Sequence, residues 1–225
     1  SLSVDLELGR HKFPQSIHSS AWDRFPSDCL LPAPWRGRPP RTNAHLVKEI
    51  KMKRAPRSLL SVKGVTKRFD GLVAVSSMSF DVGEHEMVGV IGPNGSGKTT
   101  MMNMISGVYK PSEGQISLRG RTISELPPQK ISREGIGQTF QLVRLLPGLS
   151  VLENVKAGAV FGHQRRWGRD ADKFAREMLD RVGLDVRSHA PISALTYIDQ
   201  KRVELARVLA GEPEVLLLDE WLAGL

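Results

Sequence analysis

MVGVIGPNGSGKTTMMNMISG, residues 87–107, decides how the rest of the chain is read. Its first five residues form a short continuous apolar run, the pattern of a strand buried on both faces. The next eight, Gly92, Pro93, Asn94, Gly95, Ser96, Gly97, Lys98 and Thr99, fit the spacing G-x-x-x-x-G-K-[ST]. Glycines let the backbone curl so that successive N–H groups point inward. The helix expected from Thr99 and Thr100 onward adds the positive end of its dipole. Such a loop cradles phosphates. Lys98 is placed to reach the β and γ phosphates of a nucleotide, and Thr99 to offer its hydroxyl to Mg2+. The bland alternative is a Gly-rich turn with no ligand; the strand before it and the helix after it argue against that.

The flanking sequence has a matching rhythm. SLLSVKGVTKRF (58–69) and LVAVSSMSFDV (72–82) alternate like half-buried strands. QISLRG (115–120) and GIGQTF (135–140) read as further strands. VLENVKAGAV (151–160), ADKFAREMLDRV (171–182) and QKRVELARVLA (200–210) read as helices. EVLLLDE (214–220) is another buried strand, ending in two acids. Strands alternating with helices predict an α/β core with a mainly parallel sheet. The two acids have separable uses. Asp219, ending a buried strand beside a phosphate loop, can hold Mg2+, and Glu220 can polarise an attacking water as general base. An acidic pair by itself is commonly a solvated loop; the phosphate loop upstream shifts the balance.

Composition narrows the class. The 225 residues include 40% hydrophobic and 25% charged residues, as in a soluble globular domain. The net charge of +8 permits phosphate ligands, anionic surfaces or nucleic acid without choosing among them. The one cysteine, Cys29, excludes an intrachain disulfide. The apolar runs are too short to span a bilayer, so a membrane role would need another subunit to hold the chain there. Residues 1–51 read poorly as a fold: RFPSDCLLPAPWRGRPPR (24–41) is crowded with Pro and Arg and has no period. This segment is expected to be a disordered or non-native extension, with a natural start near Met52, and residues 52–225 to be the folded domain.

In this order, these residues resemble the nucleotide-binding domain of ABC transporters, from roughly residue 58 to the C-terminus. GPNGSGKTT resembles the family's Walker A motif, and LLLDE its Walker B motif with the catalytic glutamate, Glu220. Gln141 corresponds to the Q-loop glutamine that connects Mg2+ and the γ-phosphate to the membrane subunit. TFQ followed by RLLPGLSVLENV is particularly similar to LivG-type ATP-binding subunits of branched-chain amino-acid importers. Phe69 lies where the family places an aromatic that stacks on adenine; a core-facing strand aromatic is the alternative. The resemblance implies a P-loop NTPase fold with a mainly parallel core sheet, an antiparallel β subdomain and a helical subdomain at about 142–200. It implies ATP and Mg2+ as ligands, with Lys98, Gln141 and Glu220 as catalytic residues. It also implies a second ATPase subunit, integral-membrane permease subunits and, indirectly, a solute-binding protein as partners, at the cytoplasmic face of the inner membrane. No nucleic acid is expected, and related amides or urea stay open as cargo.

Where the family carries its signature, L-S-G-G-Q or L-P-Y-G-Q, this chain has Leu195, Thr196, Tyr197, Ile198 and Asp199. Ile198 stands for a glycine and Asp199 for a glutamine. A β-branched residue dislikes positive φ and adds bulk where backbone N–H groups would approach a partner's γ-phosphate. Asp199 reads as an N-cap whose charge would face that phosphate. A capped helix with no ligand role is the alternative. The resemblance therefore implies an asymmetric pair, with this chain's Walker site the stronger. The sequence stops at Leu225, before the family's switch histidine, and reads as C-terminally truncated. Rival readings are a GTPase, which needs an N-K-x-D absent here, a small-molecule kinase, a non-transporter ABC ATPase, and a nucleotide-binding regulatory module without turnover.

Overall fold

The computed structural model describes residues 7–12, 58–184 and 188–219. The proposed start at Met52, the Pro- and Arg-rich stretch and Glu220 lie outside the described residues. A short strand, β1 (Glu7–Lys12), comes first. The two alternating stretches then form β2 (Ser58–Phe69) and β3 (Leu72–Gly83), an antiparallel hairpin. Its two-residue turn is Asp70-Gly71, with φ of 40° and 96°. Positive φ at both positions matches the twist of the flanking strands, and it places Phe69 opposite Leu72 at the tip.

β5 (Glu113–Leu118) pairs with the other edge of β2, and β6 (Arg121–Thr122) follows it, giving the order β3-β2-β5-β6. Leu60 lies opposite Leu118, and Val62 opposite Ile116; all four are buried. This antiparallel sheet covers one side of α1 (Lys98–Ile105), which contributes Met101, Met104 and Ile105 to the same core. Val215 and Leu217 join that core from β8 (Val215–Leu217), which pairs in parallel with β7 (Ile136–Gln138). Among the described residues, β7 and β8 are the parallel part of the α/β fold.

The strand leading into the phosphate loop, β4 (Glu86–Ile91), departs from expectation. Its apolar run predicts burial on both faces, yet Met87 is 61% and Ile91 62% exposed. Among the described residues its strand neighbour is β1, antiparallel from Glu7 opposite Ile91 to Lys12 opposite Glu86. The β7–β8 pair lies apart from it. β1 itself falls in the segment read as lacking a fold. ELGRHK carries one large apolar residue, too few for an alternating signal.

A second core lies in the helices. α3 (Val151–Phe161), α4 (Gly168–Arg181) and α5 (Tyr197–Ala210) bury Val151, Val155, Ala171, Ala175, Leu179 and Val203 against one another. α3 begins at a capping box. The Ser150 hydroxyl accepts the Glu153 N–H at 3.3 Å, and the Glu153 carboxylate accepts the Ser150 N–H at 2.8 Å. The Ser150 N–H and the Ser150 hydroxyl, which donates to the same carboxylate at 2.7 Å, hold the Glu153 carboxyl below its ordinary range. Near its end α3 meets α5 backbone to backbone: a side chain at Gly158 would strike the Arg207 carbonyl, and one at Gly162 would strike Gly211. The sequence reading missed α2 (Pro128–Glu134), whose signal is the proline at its first position. No helix of the described residues is long and apolar enough to cross a membrane.

Candidate nucleotide site

The phosphate loop takes its shape from two glycines. Gly95 and Gly97 have φ of 81° and 92°. Gly97 caps α1, and a Cβ there would run into the Ala74 carbonyl and Val75. An alanine would therefore be strained in backbone and blocked in space. The Ser96 N–H donates to the Pro93 carbonyl at 3.2 Å, closing the turn. α1 begins with no side-chain cap and no acid in its first turn. The N–H groups of Lys98, Thr99 and Thr100 have no backbone acceptor among the described residues; the first such bond runs from Met101 N–H to Gly97 at 2.8 Å. Unsatisfied donors at the positive end of a helix dipole are an anion site.

Lys98 lies folded back over this loop. Its Nζ donates to the Gly92 and Pro93 carbonyls, both at 2.8 Å. These are neutral acceptors, which an anion would displace in favour of a stronger, charge-assisted bond. The loop opens on a cleft of about 480 Å3. Three parts of the chain form its walls: Phe69, Leu72 and Val73 at the hairpin tip, Asn94, Gly95 and Gly97 to Thr100, and Gln141. Residues 72 positions apart thus share one cavity, which sequence order alone does not reveal. Gly92, Pro93 and Ser96 lie off the cleft wall. The first two hold Lys98, and Ser96 is 5% exposed with no partner for its hydroxyl among the described residues. Asp219 is buried just past β8 and also does not line the cleft.

Gln141 opens a loop that is fastened to the helices. Tyr197 donates its hydroxyl to the Gln141 carbonyl at 3.3 Å. The Arg144 N–H donates to Glu204 Oε1 at 3.1 Å. Asn154, fully buried in α3, donates to the carbonyls of Leu146, Leu149 and Ser150 and accepts the Leu146 N–H at 2.8 Å. Burial pushes the Glu204 carboxyl up, against the pull of the Arg144 bond and of Arg207 at 3.8 Å. Burial likewise pulls the Arg207 guanidinium down, offset by Glu204. Asn154 and Glu204 were not among the candidates from sequence. Their signal was available: each is a polar residue on the apolar stripe of its helix.

The signature turn is ordered differently from its sequence reading. Thr196, not Asp199, is the N-cap of α5, and its hydroxyl accepts the Asp199 N–H at 3.2 Å. Ile198 sits in the first helical turn with ordinary helical backbone, so the expected conflict with positive φ does not arise. Asp199 is 9% exposed, with Arg202 at 3.6 Å. Its carboxylate is tucked against the helix rather than displayed.

A second groove, of about 320 Å3, lies between the two cores. Phe140, Leu146, Phe161, Val208 and Pro213 line it. Leu146 and Phe161 on the groove are exposed, and so is Leu142, two residues past Phe140 in the chain.

A phosphate loop capped by glycine, an aromatic-tipped hairpin and a glutamine around one cleft define a nucleotide-binding ATPase cassette. Residues 75–223 match the ABC transporter family, and the chain belongs to it. Over 180 residues it is 43% identical to the high-affinity branched-chain amino acid transport ATP-binding protein LivG of Salmonella typhimurium, covering 74% of this chain and 71% of the relative. It is 38% identical over 185 residues to BraF of Pseudomonas aeruginosa, which bears the same description, covering 75% and 71%. Among solved structures, a dimeric bacterial ABC transporter cassette superposes with a TM-score of 0.65 at 28% identity, over 74% of this chain and 75% of that one. The chain is an ABC ATPase subunit similar to LivG.

Proposed function

We propose that this ATPase energises an importer of branched-chain amino acids, binding Mg·ATP in the cleft between the hairpin tip and α1. The nucleotide part of this reading rests on the single cavity of about 480 Å3 lined by Phe69, the phosphate loop and Gln141, and the cargo on the similarity to LivG and BraF. Phe69 stacks on adenine. The N–H groups of Lys98, Thr99 and Thr100 receive the phosphates, and Lys98 exchanges its two carbonyls for phosphate oxygens. The Thr99 hydroxyl on the cleft wall and the Asp219 carboxylate, buried off that wall and able to act through water, are hard oxygen donors. Among the described residues no cluster of three or more His, Cys, Asp or Glu side chains is poised for a metal. That donor set suits Mg2+, which keeps waters and takes one or two carboxylates with phosphate oxygens instead of a protein cage. When bound, the ion neutralises negative charge on the phosphates. Glu220 polarises the attacking water.

The apolar groove between the cores receives a permease, which holds the chain at the cytoplasmic face of the membrane. The exposed side chains of Leu142, Leu146 and Phe161 support that assignment. A second ATPase subunit presents its own signature to this chain's nucleotide. This chain returns a signature turn already filled by Thr196 and Asp199, so the partner's site is the weaker one. Equal loss of transport when either chain's catalytic glutamate is changed to glutamine would break that asymmetry.

Calorimetric titration of the chain with Mg·ATP tests the core of the reading. Lys98→Ala is expected to weaken binding about 100-fold, through loss of charge-assisted bonds to phosphate. Equal binding by the two proteins would overturn the site.

A further inference from the structure

Phe69 ends β2 as a residue 37% exposed, a position where an aromatic ordinarily turns among rotamers. Here it is held from behind. Tyr109 meets it edge to face, with ring centroids 5.3 Å apart and planes at 79°. Lys67, two residues earlier on the same face of the strand, places its Nζ 5.0 Å from the Phe69 ring centroid and 5.8 Å from that of Tyr109. That ammonium is itself anchored, donating to the Lys110 carbonyl at 2.9 Å. Tyr109 is fixed in turn by its N–H, which donates to the Asn103 carbonyl of α1 at 3.0 Å. Phe69 lines the nucleotide cleft, whereas Lys67 and Tyr109 do not.

We propose that Tyr109 and Lys67 are positioning residues for the nucleobase. They fix the Phe69 ring so that its cleft-facing side is presented ready to stack. The inference rests on the proposed role of Phe69 and extends it to two residues that touch no ligand. The physical basis is preorganisation. A ring already held in its bound orientation loses no rotamer freedom when the base arrives. An edge-to-face neighbour and an ammonium over the ring each favour one orientation. The arrangement also ties the base site to α1, because the loop that carries Tyr109 leaves the end of that helix. The phosphate loop and the aromatic are thereby set on one frame.

The test compares two ligands on the same protein: Mg·ATP, and inorganic tripolyphosphate with Mg2+, which offers the phosphates without a base. Tyr109→Leu is expected to weaken ATP about fivefold and leave tripolyphosphate unchanged. Lys67→Met, which keeps the stem and removes the cation, gives a loss of about threefold for ATP alone, and Lys67→Arg restores it. Phe69→Leu is the reference, with a loss of about tenfold for ATP only. If Phe69→Leu weakens ATP while Tyr109→Leu and Lys67→Met do not, the positioning role is overturned and the stacking role stands. If Phe69→Leu is silent, stacking fails and the inference with it. Equal weakening of both ligands by Tyr109→Leu would mean a general disturbance of the hairpin, which also overturns the proposal.

Discussion

Two helix starts in this chain face the same problem and solve it in opposite ways. α1 begins at Gly97 with no side-chain cap and no acid, leaving the N–H groups of its first turn without backbone acceptors among the described residues. α5 begins at Thr196 with its hydroxyl on the Asp199 N–H, an acid in the first turn and Arg202 beside that acid. The first end is left for an anion from outside; the second is satisfied by its own chain. Sites for phosphate are therefore marked less by what is present than by which local partners have been withheld. Within one chain, then, one helix start is open to a ligand and the other is closed by its own cap.

Making α1 resemble α5 is the strongest test of that contrast. Thr100→Asp puts a carboxylate at the third helical position, where α5 carries Asp199. It is expected to weaken Mg·ATP about 30-fold in titration, while raising stability to denaturant by about 0.5 kcal/mol. A loss of both affinity and stability would mean that the first turn of α1 is not an open dipole end. The converse change is smaller. Thr196→Ala removes the cap of α5 and is expected to cost about 1 kcal/mol in chemical denaturation, with ATP affinity of the isolated chain unchanged.

The smallest effect concerns the body of α5, where Glu204 holds the loop that follows Gln141. Burial raises its carboxyl pKa, so the folded chain retains that proton above the pH at which the unfolded chain releases it. The folded state then binds more protons, and this contribution to stability is present at low pH and lost as pH rises through the folded pKa. Glu204→Gln keeps an acceptor for the Arg144 N–H and cannot ionise. Its melting temperature relative to wild type is expected to climb as pH rises out of the acid range. A constant difference would show that the carboxyl does not titrate in that window.

The strands and helices were legible where a period repeats over several turns of chain, as in 58–82 and 197–210. The phosphate loop was legible because Gly97 and Lys98 answer to local demands that only those residues meet. The shared cleft was not readable from periodicity, since the hairpin tip and Gln141 meet through tertiary packing; resemblance to the family supplied those two residues. β4 was misjudged because an apolar run states what a strand can bury, not what the neighbouring chain provides to cover it. Asp199 was misassigned because Thr196, three residues earlier, is the better-placed cap, a spacing that the sequence displays. Asn154 and Glu204 were overlooked because polar residues on an apolar stripe look like blemishes until the loop they fasten is in place.

The glycine seam between α3 and α5 has a mechanical meaning. At Gly158, Gly162 and Gly211 backbone comes close to backbone, with the Arg207 stem also beside Gly158. A displacement of the α3 end near Phe161 is therefore expected to carry the end of α5 with it. The far end of that rod is Thr196 and Tyr197, and Tyr197 touches the carbonyl of Gln141. Close backbone contact at one end of α5 and a hydrogen bond to the rim of the cleft at the other make that helix a single lever between the apolar groove and the nucleotide cleft.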